Sequence, residues 1–313
     1  MDFKEIDMRK YTIFTLLLLT LIVDFPSPVF SSGIIIKRNE IYANNMVGIR
    51  NIGSKVVVQD THIYNNGRAG VLVLDGTDDT LIDQCVIAYN NKTGVDINNS
   101  GKTSITSSSI HHNNTAGIQI APIETGSHSI IKGTCYVDIR ESHIYKNDKS
   151  GIRGGFSDSV EHTLVLAVHD CNIEKNKKSG ISIKNNTILI ASGNKISLNG
   201  MAGITSVELE NELANVLPGI DIVRNIIDEN DNCGINAQYA HMNNNGIRNN
   251  LILNNGNSGI RCQSLPMVIA NNTIVGNGNK YQGVGIEHLD EQKAPYIINN
   301  IIAYTHITGI KIP

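Results

Sequence analysis

Residues 144–152 read Ile144-Tyr145-Lys146-Asn147-Asp148-Lys149-Ser150-Gly151-Ile152, and residues 173–181 read Ile173-Glu174-Lys175-Asn176-Lys177-Lys178-Ser179-Gly180-Ile181. The two stretches share one frame: an Ile, an Asn three residues on, and a Gly-Ile four residues after the Asn. The frame recurs from Ile41 to Gly309, with ladder asparagines at 44, 66, 90, 113, 147, 176, 199, 230, 255 and 277. Thr305 takes the place of the Asn in the last copy, and four extra residues enter the copy that ends at Gly285. A fixed frame at a spacing of a few tens of residues is the signature of a stacked repeat fold.

A further apolar position lies five residues before each Ile of the frame, as at Val58, Ile82, Ile139 and Ile222. Around it apolar and polar residues alternate, as they do in Gly180-Ile181-Ser182-Ile183. That alternation predicts short strands with one face buried. No window keeps a helical period, and residues 207–214 offer only a single short candidate. Units that repeat in the same order and direction stack as parallel sheets, with rungs ~4.8 Å apart. The fold class is therefore all-β, a solenoid of about eleven coils. The asparagines are expected in the turns, where Asn tolerates left-handed backbone and can exchange amide hydrogen bonds along a column. The glycines are expected to allow positive φ or a close backbone approach.

This repeat resembles the parallel β-helix repeat of the right-handed β-helix, or pectin-lyase-like, superfamily, in the style of NosD-like proteins and of alginate epimerases and polysaccharide lyases. The resemblance runs from Ile34 to the C-terminus and implies a single-stranded right-handed parallel β-helix over residues 32–313. It also implies action on, or binding of, acidic polysaccharide. The polygalacturonase-like Asn-Thr-Asp, Gly-His-Gly and Arg-Ile-Lys motifs are absent, as is the Asp-Pro-His motif of alginate epimerases. No catalytic residue can therefore be carried over.

Residues 1–31 read as a secretory signal: Arg9 and Lys10, then the apolar run 11–23, too short to span a membrane, then small residues before a cleavage site near Ser31. The expected location is extracellular or periplasmic, with no membrane span after cleavage. A net charge of −3 gives no electrostatic footprint for nucleic acid. Trp is absent and aromatic residues make up 5% of the chain, so no broad stacking platform for neutral sugars is visible. The five cysteines fall in slots that cannot pair and are expected to be buried, with Cys135, near a loop, the one to test for reactivity. Both ends of the rod look bare, which points to end-to-end self-association or a capping partner.

Insertions at roughly 121–134, 155–163 and 206–218 leave the same corner and could wall a groove. Outward residues on the strand after that corner include Asp83, Arg140 and His169, with Asp138 two residues before Arg140. In lyase or epimerase chemistry a cation neutralises a uronate carboxylate and a base takes the C5 proton. Arg140 and His169 suit those roles; a surface ion pair beside a histidine is the bland reading. A second outward column carries Asp96, Gln119 and Arg153 as substrate-binding candidates. A third holds His62 and His143, with Tyr64, His111 and Tyr145, residue types that bind sugar or a transition metal or simply fill surface. The loop Asp75-Gly76-Thr77-Asp78-Asp79 offers carboxylates to Ca²⁺ without EF-hand spacing, so a plain turn is the competing reading. No other cofactor is indicated. The alternative to an enzyme is a non-catalytic β-helix that binds a glycan, a metal or a surface partner.

Overall fold

The computed structural model describes residues 33–74, 79–98, 101–120, 133–155, 162–184, 186–206, 219–238, 241–263, 267–291 and 295–313, and the backbone of 4–6. Among these residues every regular element is a β-strand. The strands form three parallel sheets, and each coil contributes one strand to each sheet in turn. The first sheet has twelve strands, running from Ile34–Lys37 to Tyr296–Ile298, with Lys4–Ile6 added at its N-terminal edge. The second runs from Glu40–Tyr42 to Ile301–Ala303 and the third from Ile49–Ile52 to Ile310–Lys311, with eleven strands each. The chain is thus a right-handed parallel β-solenoid.

The register follows the repeat frame. Val58 pairs with Ile82, Ile82 with Ile105, Ile105 with Ile139 and Ile139 with Val168, so like residues stack on like inside the rod. These side chains are fully buried. Burying one Ile removes enough apolar surface to stabilise by ~1.5–3 kcal/mol, before the entropy of ordering it.

The asparagine ladder is continuous. Asn113 donates its backbone N–H (3.1 Å) and its Nδ2 (3.0 Å) to Oδ1 of Asn147 in the next coil. Its Nδ2 also reaches the Ile87 carbonyl of the coil before (3.2 Å). One side chain therefore stitches three coils, and Asn90, Asn113 and Asn147 are completely buried.

One turn expectation needs correcting, and the other resolves to one of its two alternatives, the close backbone approach. The left-handed residue is not the ladder Asn but the one before it: Tyr89 (φ 55°), His112 (φ 52°), Lys146 (φ 51°) and Lys175 (φ 55°). The Asn must keep extended backbone so that its side chain turns inward, and the preceding residue makes the corner with its side chain outward. The frame glycine is likewise not at positive φ. A Cβ on Gly151 would lie 2.7 Å from Ile173 Cγ2, 2.8 Å from the Gly180 carbonyl oxygen and 2.9 Å from Asn176 Nδ2. Glycine is required there because the next coil occupies that space.

The strands Gly133–Arg140 and His162–His169 are eight residues long and pair over their whole length. The last residues of the first two expected insertions thus belong to a widened first sheet. Most of the three insertions, the 207–214 helix candidate, the remainder of the 1–31 segment and Asp75–Asp78 lie outside the described residues. No helix among the described residues is long and apolar enough to cross a membrane.

All five cysteines are buried and unpaired. Cys135 is no exception: burial pushes its thiol up to about 12, so it is an inert core residue.

Candidate functional site

On the first sheet the outward column is as the frame predicts: Gln59, Asp83, Thr106, Arg140, His169 and Ser192 follow one another as strand partners. Arg140 and His169 are direct partners in the widened region. Their side chains nevertheless engage other groups. The Arg140 Nε donates to Asp138 Oδ2 (2.9 Å) and Oδ1 (3.0 Å) on its own strand. His169 Nδ1 meets Ser192 Oγ (2.6 Å) on the next strand. Asp83 accepts from Gln59 Nε2 (3.0 Å) and Thr106 Oγ1 (2.7 Å), so both its oxygens are occupied. The expected four-residue constellation is three adjacent polar groups rather than one network.

What remains available is specific. Only Nε of Arg140 is engaged among the described residues, and the side chain is 53% exposed. When His169 Nδ1 donates to Ser192, Nε2 carries the lone pair and is the basic nitrogen. The same face holds a second acid–base pair, Arg248 Nη2 with Asp221 Oδ1 at 3.3 Å.

On the third sheet Asp96 sits between Leu72 and Gln119, with Arg153 one strand further. Burial pushes its carboxyl up to about 6, against a weak opposing bond from Asn98 Nδ2 (3.3 Å). Counting two residues on from Gly285 and Gly309 extends this column to Glu287 and Lys311, and the first of these is the most enclosed acid of the face. Glu287 is 7% exposed and accepts from Arg261 Nε (2.7 Å), Lys311 Nζ (3.1 Å) and Ser258 Oγ (3.1 Å). Burial alone would raise its pKa, and these hydrogen bonds outweigh burial and lower it.

The second sheet carries a patch that the strand columns only half revealed. Tyr145 stacks on His143 (4.1 Å between centroids) and on His111 (4.6 Å). Tyr89 stacks on His112 (4.9 Å), and the Nδ1 atoms of His111 and His112 are 2.8 Å apart. Tyr89 and His112 occupy left-handed corners, where no periodic signal reports them. His143 is held by Glu174 through Nε2 (3.1 Å). His62 lies two strands away from the group, beyond Val86 and Ser109. Tyr64 stacks separately on Tyr42 (5.0 Å). Burial and the neighbouring His112, His143 and Lys146 bring the His111 pKa down to about 4.

Of the Ca²⁺ candidates only Asp79 is described, as an exposed residue. No group of three or more His, Cys, Asp or Glu side chains gathers as a metal cage among the described residues.

A family model described as "Right handed beta helix region" matches residues 27–122, 53–216 and 130–302. The chain belongs to this family. Solved structures agree in fold. The A-module of the mannuronan C-5 epimerase AlgE4 of Azotobacter vinelandii superposes with a TM-score of 0.63 at 16% identity, over 90% of this chain and 79% of that one. The periplasmic alginate epimerase AlgG does so with a TM-score of 0.51 at 13% identity, over 90% and 75%. Identities this low speak for the fold alone. No curated protein matches the chain in sequence.

Proposed function

We propose that this β-helix protein is secreted and binds acidic polysaccharide along the outer face of its first sheet, with Arg140 and His169 performing lyase- or epimerase-type chemistry. The observation that carries the reading is the pairing of Arg140 with His169 on adjacent strands at the widest part of that sheet. A partly exposed guanidinium beside an imidazole with a free Nε2 has the two groups the reaction needs. The cation lowers the cost of charge developing on a uronate carboxylate, and the imidazole takes the C5 proton. Asp138 orients Arg140, and Asp83 lies two strands away for a neighbouring sugar unit. Asp96, Gln119, Arg153 and Tyr145 are assigned to further substrate contacts on the other faces. The apolar N-terminal run supports export.

The test combines absorbance at the unsaturated uronate band with NMR detection of C5 proton exchange, on pectate, alginate and glycosaminoglycans. Turnover should vanish in His169→Ala and Arg140→Ala, while His169→Ala still binds the polymer. Activity retained in both variants moves the chemistry elsewhere. Binding with neither product formation nor exchange on any polyanion supports the second reading, a non-catalytic glycan-binding β-helix. The full occupation of Asp83 by Gln59 and Thr106 favours that reading.

A further inference from the structure

The His111–His112 pair brings two imidazole nitrogens together at the end of a second-sheet strand, on a different sheet from Arg140 and His169. Its two Nδ1 atoms face each other at 2.8 Å. In one tautomer an N–H on one Nδ1 bridges to the lone pair of the other; with both rings protonated on Nε2, the two Nδ1 atoms bring two lone pairs to the same gap. Imidazole nitrogens bind a transition ion at ~2.0–2.1 Å. Two such nitrogens in cis positions of a square-planar or octahedral ion stand roughly 2.9 Å apart, and on a tetrahedral ion about 3.3–3.4 Å apart. The separation in this chain therefore matches the right-angled pair.

The surroundings hold the rings in that arrangement. His111 ends the strand Ser109–His111, and Tyr145 of the next coil stacks on it. His112 sits in a left-handed corner (φ 52°) and is stacked by Tyr89. The two imidazole planes cross at 85°. Neither ring has a carboxylate as a hydrogen-bond partner among the described residues; Glu174 pairs with His143 and Lys175.

We propose that His111 and His112 form a two-nitrogen site for a divalent transition ion of tetragonal preference, Cu²⁺ or Ni²⁺, through their Nδ1 atoms. The remaining positions are open to water or to an anionic ligand. The proposal does not rest on the polysaccharide reading, although Tyr145, stacked on His111, is shared by the two.

The experiment is titration of the full chain with Cu²⁺, followed by calorimetry and electron paramagnetic resonance. One ion should bind per chain, with an axial spectrum showing coupling to two nitrogens. His111→Ala and His112→Ala should each weaken binding at least ~10-fold, as expected when a determinant of the coordination sphere is lost. His62→Ala and His306→Ala, which alter distant imidazoles, should leave affinity and spectrum unchanged. Circular dichroism melts establish that the variants are folded. Because His112 occupies a left-handed corner, His112→Asn supplies a second variant suited to that backbone, and it should also lose one nitrogen coupling. Unchanged binding in the His111 and His112 variants overturns the proposal, and so does a spectrum without nitrogen coupling. Absence of binding in the wild type overturns it as well and leaves the pair as a hydrogen bond.

Discussion

The corner that opens each second-sheet strand is built in two chemistries, one in the early coils and one in the late coils. The first coil has Asn39 in the slot, with its Nδ2 on the Lys37 carbonyl of its own coil (3.0 Å); the next five hold Thr61, Cys85, Ser108, Ser142 and Cys171, and the later ones Asn194, Asn225, Asn250, Asn272 and Asn300. The early hydroxyls donate within their own coil, Ser108 Oγ to the Thr106 carbonyl (2.7 Å) and Ser142 Oγ to the Arg140 carbonyl (2.8 Å), and accept one backbone N–H from the coil before, as Ser142 Oγ does from Ser108 (3.2 Å). The late amides reach both neighbours, as Asn225 Nδ2 does to the Ala191 carbonyl (2.9 Å) and Asn250 Oδ1 (3.0 Å). The acids of the third-sheet face divide the same way. Asp96, early, is desolvated with one weak partner; Glu287, late, is enclosed by two cations and a hydroxyl. The late slot and Glu287 tie neighbouring coils together, whereas Arg140, His169 and the His111–His112 pair all lie in the early and middle coils.

The largest effect should be blind to this division. Gly151→Ala and Gly234→Ala both drive a Cβ against the next coil, to 2.7 and 2.6 Å from an Ile Cγ2. Each should cost about 3 kcal/mol or more in urea unfolding. A large difference between the two would mean that the halves differ in more than this corner.

Next in size, Asn225→Ser should cost about 2 kcal/mol, because it removes the buried Nδ2 bonds to the Ala191 carbonyl and to Asn250 Oδ1, which keeps only the backbone N–H of residue 225. Ser142→Asn should change stability by less than about 1 kcal/mol, since the early slot makes no side-chain amide bonds to lose. Equal costs in the two directions break the comparison.

The two acids should give opposite pH slopes. Asp96 titrates near 6 in the fold and near 3.8 when unfolded, so the native state holds the proton more tightly. Its contribution is greatest below pH 3.8, falls as pH rises to 6, and is flat above. Asp96→Asn should therefore be more stable than wild type at pH 8, by roughly 1–2 kcal/mol after allowance for partial exposure, and no more stable at pH 4. Glu287, with its pKa lowered, stabilises above pH 4.5 and loses that contribution as pH falls through its folded value. Glu287→Gln should cost stability at pH 7 and little in strong acid. Parallel pH profiles for the two variants would show that the two acids are in equivalent environments.

The smallest effect belongs to Arg140→Ala. Its ion pair with Asp138 is half-exposed, so the melting temperature should barely move, with a loss of at most ~0.5 kcal/mol. A larger loss would place Arg140 among the structural residues and remove it from the proposed chemistry.

Much of this was legible from the repeat frame. A period-two strand fixes which residues face in, so the columns through Ile139 and Arg140 could be written down from spacing alone. Asp83, Arg140 and His169 do fall in one outward column. What spacing cannot report is where a long side chain turns next: Arg140 folds back to Asp138, and His169 reaches forward to Ser192. Glu287 and Lys311 obey the same count from their glycines and were within reach of it. Tyr89 and His112 were not, because the left-handed corner accepts many residue types and so leaves no pattern. The aromatic patch they complete also revises the expectation from composition. Few aromatic residues are present, but several share one face.

The ladder has one more consequence. Between ladder asparagines the bonds all run one way: each Nδ2 donates to the Oδ1 of the next coil, from Asn44 to Asn277, while it also turns back to an Ile carbonyl of the coil before, as Asn113 does to Ile87. Amide dipoles aligned in this way add along the rod axis, much as peptide dipoles add along an α-helix. The column is therefore a vector. It gives the rod an electrical direction that net charge does not disclose, positive toward the C-terminal coils and negative toward the N-terminal ones.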